Sequence, residues 1–221
     1  MIILACGEGK RMGSDIPKQF MCVAGKPLIL HTAERIHAFD SSYNIIIVIN
    51  QNHRDIWDSI TEKHNFRVPV TLVYGGKERF YSVRNGLQQV KEDSAIVAVH
   101  DGVRPFVTKQ MFEDSFVSAE KYGNGVCAVK SSDSVRIGAV DDNKSTERNN
   151  VFLMQTPQTF RADILKKAYN QPYNEKFTDD ASVAEATGEK IYITQGGREN
   201  IKITYPFDLL LAEQILKQQN I

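Results

Sequence analysis

Short runs of apolar, mostly β-branched residues recur at Asn44 to Ile49, Val70 to Val73, Ala95 to Val99, Gly125 to Val129 and Ile191 to Thr194, and segments of helical periodicity separate most of them. This alternation constrains the chain to α/β architecture: a mostly parallel sheet with helices on both faces. Helices are predicted at Leu28 to His37 behind Pro27, Ser82 to Val90, Lys109 to Lys121, Ala162 to Tyr169, and Phe207 to Lys217 behind Pro206. In sheets of this kind ligands bind outside the carboxyl ends of the strands, so functional residues belong in the segments that follow each run.

The first such segment is the most specific. Met1 to Ala5 reads as a buried strand, and Cys6-Gly7-Glu8-Gly9-Lys10-Arg11-Met12-Gly13 follows it at once, with Pro17-Lys18-Gln19 just beyond. Gly7 and Gly9 let the backbone turn sharply and approach a ligand, while Lys10, Arg11 and Lys18 put cations beside the turn. Backbone N–H groups and fixed positive charge together suit a phosphate chain. The spacing fits neither dinucleotide fingerprint nor Walker loop: Gly13 follows Gly9 by one residue too many, and Gly25-Lys26-Pro27 lacks the leading glycine and the hydroxyl. A surface turn with solvated lysines is the alternative.

Two more clusters lie at the same predicted edge. His100-Asp101-Gly102-Val103-Arg104-Pro105 ends the run at Ala95 to Val99; there Asp101 suits a metal-bound water or a hydroxylated substrate, Gly102 a close approach, and Arg104 a phosphate. An Asp-Gly turn with an Asp101–Arg104 ion pair explains the same residues, and His100, without a partner, reads as structural. Gly75-Gly76-Lys77-Glu78-Arg79 with Ser82 opens a helix and offers N–H groups and a hydroxyl to a base or phosphate, or else is a turn with an N-cap. Between about 130 and 160 the alternation breaks. Val135-Arg136-Ile137 and Val151-Phe152-Leu153 are expected to pair as a projecting β-arm, too thin to be stable alone, that packs on a second copy of the chain or forms a surface insertion.

Composition narrows the function classes. Lys+Arg and Asp+Glu both number 27, so the net charge is zero and no global field favours nucleic acid. The basic residues follow the first apolar run instead of preceding it and no stretch approaches bilayer length, so no membrane association and a cytoplasmic location are expected. Cys6, Cys22 and Cys127 form no CxxC pair, which suggests neither disulfide framework nor zinc site. One domain over 1–221, carrying the arm as an insertion, is expected.

Taken in order, these clusters resemble the 2-C-methyl-D-erythritol 4-phosphate cytidylyltransferases of isoprenoid-precursor synthesis, from Ile3 to about Glu213. The matching motifs are the glycine loop with Arg11 and Pro17-Lys18-Gln19, Gly75-Gly76-x-Glu78-Arg79-x-x-Ser82-Val83, His100-Asp101-x-x-Arg104-Pro105, Arg148 ahead of Gln155-Thr156-Pro157-Gln158, Thr178-Asp179 before Ala181-Ser182, and Asn200-Ile201-Lys202. The resemblance implies a Rossmann-like nucleotidyltransferase domain, CTP and methylerythritol phosphate as substrates, Mg²⁺ as cofactor and in-line attack of the acceptor phosphate on the α-phosphorus. It makes Arg11 and Lys18 the transition-state stabilisers and gives Arg148 and Lys202 the attacking phosphate. Ala5, Cys6, Gly7, Gly9, Gly76, Lys77, Ser82 and Gly102 are implied to bind the nucleotide, and Asp101, Arg104, Ser134 and Thr178 the acceptor; direct metal ligands stay open, with Asp101 a candidate through water. It implies a homodimer whose arm carries Arg148, Ser134 and Thr178 into the neighbouring site. Cys6 replaces a usual alanine, Lys77 a frequent acid, and Ser134 a usual threonine. A ribitol 5-phosphate cytidylyltransferase shares much of the pattern, and a non-catalytic nucleotide-binding regulator would share the fold.

Overall fold

The structure is a computed structural model that describes residues 1–14 and 16–219, without the side chain of Lys10. Strands β1 (Ile2–Ala5) and β4 (Ile45–Ile49) are buried at every position, and β2 (Cys22–Val23) with β3 (Lys26–Pro27) forms a small hairpin between them ahead of helix α1 (Leu28–Phe39). After α2 (Arg54–Lys63) come β5 (Val70–Tyr74), α3 (Arg79–Leu87), β6 (Ile96–Asp101), α4 (Lys109–Tyr122) and β7 (Asn124–Lys130). The arm strands β8 (Val135–Gly138) and β9 (Asn143–Thr146) lead to β10 (Phe152–Arg161), followed by α5 (Ala162–Tyr169), α6 (Asp180–Glu185), β11 (Ile193–Gln195) and α7 (Pro206–Gln218).

The seven-stranded sheet runs β11-β7-β10-β6-β1-β4-β5. It is parallel throughout except at β10, which lies antiparallel between β6 and β7. Because successive side chains of a strand point to opposite faces, Ile2 and Leu4 enter one core with Phe80 of α3 and Leu165 of α5, while Ile3 and Ala5 enter the other with Ile29 of α1, Trp57 of α2 and Phe112 of α4. Both faces are therefore covered, which is what uninterrupted apolar strands require. A third cluster, Val23, Leu28, Val103, Phe106, Ile203 and the inner side of α7, packs α7 beside the carboxyl edge of the sheet.

Three expectations change. The arm hairpin pairs β8 with β9, Val135 opposite Thr146, and not with Val151 to Leu153. The nearer partner closes a far shorter loop, and Leu153 is taken by the main sheet opposite Val129. Helix α3 opens at Arg79, not Ser82, since Glu78 already has extended cap geometry and Ser82 sits in the first turn. Helix α2 is additional: its apolar face is only Ile56, Trp57 and Ile60 among polar residues, yet Trp57 is 5% exposed.

Candidate active site

The carboxyl ends of β1, β5 and β6 open into one cleft of about 710 Å³, lined by Ala5, Cys6, Gly7, Gly9, Arg11, Lys18, Gly76, Lys77, Ser82, Asp101 and Lys202 among others. Residues as distant along the chain as Leu4 and Thr204 thus line one cleft, with β1 set between β4 and β6 in the sheet. Gly9 takes φ +68°, and a Cβ there would come within 3.0 Å of the Lys18 nitrogen. Glycine at this position is therefore what lets the loop fold back over Lys18. A 3₁₀ turn over Lys10–Met12 places Arg11, whose guanidinium carbon lies 5.6 Å from the Tyr205 ring centroid, and a second over Lys18–Phe20 sends the Lys18 ammonium to the Ile203 carbonyl at 3.1 Å. The Lys10 side chain expected beside them lies outside the described residues.

Asp101 organises the opposite wall. Its carboxylate accepts from Arg104 Nε at 3.3 Å and pairs with Lys202 Nζ at 3.0 Å, and its own N–H donates to Thr156 Oγ1 at 3.0 Å. Burial alone would raise its pKa, but Lys202, Arg79 and Arg104 override that and hold the carboxyl well below the usual range. Lys18 is also lowered, here at the expense of its charge: burial, together with the neighbouring charges of Lys202 and Arg11, brings it to about 8 despite the opposing pull of Asp101. Burial raises the Cys6 thiol, a shift that Ser82 and Arg79 only partly offset, so the cleft holds no activated thiol nucleophile.

Not every expected residue lines this cleft. Gly102 donates to the Leu4 carbonyl at 2.8 Å, and a Cβ on it would meet Ile29, so its backbone packs closely on β1 and α1. Arg104 is 8% exposed and spends its donors on Asp101 and on the Asn200 carbonyl at 2.7 Å, so it braces Asp101 from behind. Ser82 lines the cleft, but its hydroxyl accepts from Gly76 N–H at 3.2 Å and so ties down the glycine turn. Arg148 and Ser134 line a separate pocket of about 470 Å³ on the arm, where Arg148 donates to the Ser132 carbonyl at 3.0 Å. Thr178 is exposed ahead of α6, its N–H donating to Ser182 Oγ. Within one chain, then, the arm residues and the cleft residues are apart. His100 is fully buried between the Arg104 carbonyl and Thr156, and burial lowers it to about 4, a structural position.

The sequence reading did not single out Arg79 as a site residue. It lines the cleft, forms a two-pronged pair with Asp180 at 2.9 and 2.6 Å, and Asp180 also accepts from the Tyr169 hydroxyl at 2.6 Å. The signal available was the Thr178-Asp179-Asp180 run, but nothing in it names a partner 101 residues away. Gln155 is a second such residue: it bonds both polar groups of the Gly197 backbone and, with Thr156, the Asn200 amide, which fixes the segment that carries Lys202. As for a metal, among the described residues no three His, Cys, Asp or Glu side chains converge as ligands, and Asp101 is already engaged by cations. The residues present therefore make no all-protein metal cage, and Asp101 is left as a cleft carboxylate able to meet a metal through water.

A glycine loop with flanking cations at the carboxyl edge of a mostly parallel α/β sheet is the arrangement of a nucleotidyltransferase, an enzyme that grips a nucleoside triphosphate and lets a second substrate attack it. The chain belongs to the 2-C-methyl-D-erythritol 4-phosphate cytidylyltransferase family (IspD), whose model matches residues 1–218. The enzyme of that name from Phocaeicola vulgatus is 43% identical over 216 residues, covering 98% of each chain, and that of Porphyromonas gingivalis is 43% identical over 97% of this chain and 96% of its own. Among solved structures, the 4-diphosphocytidyl-2C-methyl-D-erythritol synthase of Anaerococcus prevotii superposes with a TM-score of 0.82 at 30% identity, covering 98% of this chain and 94% of that one.

Proposed function

We propose that the protein transfers the cytidylyl group of CTP to 2-C-methyl-D-erythritol 4-phosphate, giving 4-diphosphocytidyl-2-C-methyl-D-erythritol and pyrophosphate. The observation that carries this reading is the convergence of the glycine loop, Arg11, Lys18 and Lys202 on one cleft in a chain matched by this family along nearly its whole length. An acceptor phosphate oxygen attacks the α-phosphorus, and the bond to the pyrophosphate oxygen breaks as it forms. No covalent enzyme intermediate is needed, so the chain supplies alignment and charge stabilisation. Arg11 and Lys18 neutralise charge building on the α-phosphate, each worth about a hundredfold in rate. Backbone groups of Ala5, Cys6, Gly76 and Lys77 read the cytosine, with Ser82 holding their turn in shape.

Lys202, oriented by Asp101, takes the acceptor phosphate from one side. Arg148 takes it from the other, delivered with Ser134 and Thr178 from the neighbouring subunit of a homodimer. What supports this arrangement is that the arm pocket and the chain's own cleft share no lining residue, and that the thin β8–β9 hairpin needs a packing partner. Mg²⁺, the cofactor this reading implies, would neutralise charge on the triphosphate, and Asp101 is the residue that would meet it, through water. A cytoplasmic location accords with a chain in which, among the described residues, no helix is long and apolar enough to cross a membrane.

Pyrophosphate release from CTP, measured with methylerythritol phosphate and with ribitol 5-phosphate as acceptors, tests the reading. Release is expected with the first acceptor only. Release with ribitol 5-phosphate alone would reassign the acceptor, and CTP binding without release with either would mark a regulator.

A further inference from the structure

The segment from Asn200 to Tyr205 carries or touches three cations of the cleft, Lys202, Lys18 and Arg11. It contains Lys202, its Ile203 carbonyl accepts from Lys18, and its Tyr205 ring lies under the Arg11 guanidinium, 5.6 Å from ring centroid to Cζ. This segment is rigid by construction. Ile203 is fully buried and donates to the Val103 carbonyl at 3.0 Å. Asp208, in the first turn of α7, accepts from the N–H groups of Thr204 at 2.7 Å and Tyr205 at 2.8 Å. Pro206 follows Tyr205 and restricts it to the extended backbone it adopts, φ −119° and ψ 159°. Tyr205 is 53% exposed, so it is not there to fill a core.

Arg11, by contrast, extends from a short 3₁₀ turn and is exposed. Such a side chain keeps many rotamers in solvent, and a cation that stabilises a transition state acts best when its position is fixed before reaction begins. An aromatic face selects the guanidinium rotamers that stack on it.

We infer that Tyr205 is a positioning residue: a fixed aromatic ledge that holds the Arg11 guanidinium at the mouth of the cleft, ready for the α-phosphate. The inference rests on the role given to Arg11 in the proposed function. A ledge of this kind acts on turnover more than on nucleotide affinity, because it fixes a charge used in the transition state and adds no contact of its own to the bound nucleotide.

The test is steady-state kinetics of the full chain with CTP and methylerythritol phosphate. Tyr205→Ala is expected to lower kcat about three- to tenfold with KM for CTP within about twofold, from the usual strength of such a contact. Tyr205→Leu, which keeps apolar bulk without the ring, falls with it, and Tyr205→Phe restores most of the rate. In an Arg11→Ala background Tyr205→Ala costs nothing further. Tyr205→Ala or Tyr205→Leu at the wild-type rate, Tyr205→Phe as slow as Tyr205→Ala, or an undiminished effect in the Arg11→Ala background each overturns the inference while the function stands. Arg11→Ala at the wild-type rate overturns the role of Arg11 and the ledge with it.

Discussion

Lys18 shows what a single residue gains from its surroundings. Burial and the nearby charges of Lys202 and Arg11 bring its pKa down to about 8 from a model-peptide value of 10.5. Below about 8 it is a cation able to stabilise an α-phosphate, and as pH rises through that value the free enzyme loses the charge. The folded state then binds fewer protons than the unfolded chain up to about 10.5, so this group adds stability with rising pH while activity declines. We expect kcat/KM for CTP to show an alkaline limb near pH 8 and Lys18→Arg to move that limb upward; a limb unchanged by the substitution would assign it to another group. The cation was legible in the sequence as part of Pro17-Lys18-Gln19. Its altered protonation was not, because it depends on Lys202 arriving from 184 positions downstream.

At the scale of elements, the six-residue α6 is too short to persist through its own hydrogen bonds. It is held by the Asp179 capping box, by Gln158, which donates to Asp179 at 2.8 Å and accepts from the Ala181 N–H at 2.9 Å, and by the cluster of half-buried Arg79 with buried Asp180 and Tyr169. Asp180→Ala leaves Arg79 without its counter-charge and should cost about 3–5 kcal/mol, visible as a lowered urea midpoint. It should also weaken CTP binding, since α3 carries Arg79 at the cleft wall. A midpoint close to wild type would mean that Arg79 finds compensation from Asp101. Elements with strong periodicity were legible from sequence: β1, β4, α1, α4 and α5 fall within a few residues of expectation. Those that were not had weak local signals. Strand β9 is the polar run Asn143–Thr146, and α2 shows apolar side chains at only three positions, both defined by what they pack against.

For the whole molecule, the separation of Arg148 from the cleft is the feature that bears on assembly. If each site is completed by its neighbour, inactive Arg11→Ala and inactive Arg148→Ala chains should regain about a quarter of wild-type activity when unfolded, mixed equally and refolded, since half the dimers are mixed and each has one intact site. A mixture as inactive as its parts, together with a monomeric mass by light scattering, would mean that the arm serves its own chain. By itself the sequence determined the α/β class, the edge of the sheet where the site lies, the family and most of the residues in the cleft, because strand periodicity and glycine-rich turns are local properties written in consecutive residues. Only the tertiary structure decided that Gly102 packs on β1 and α1, that Arg104 pairs with Asp101, that Arg79 answers to Asp180, and that Asp101 meets Lys202. Those are charge and contact pairings across long stretches of chain, and burial sets their strength.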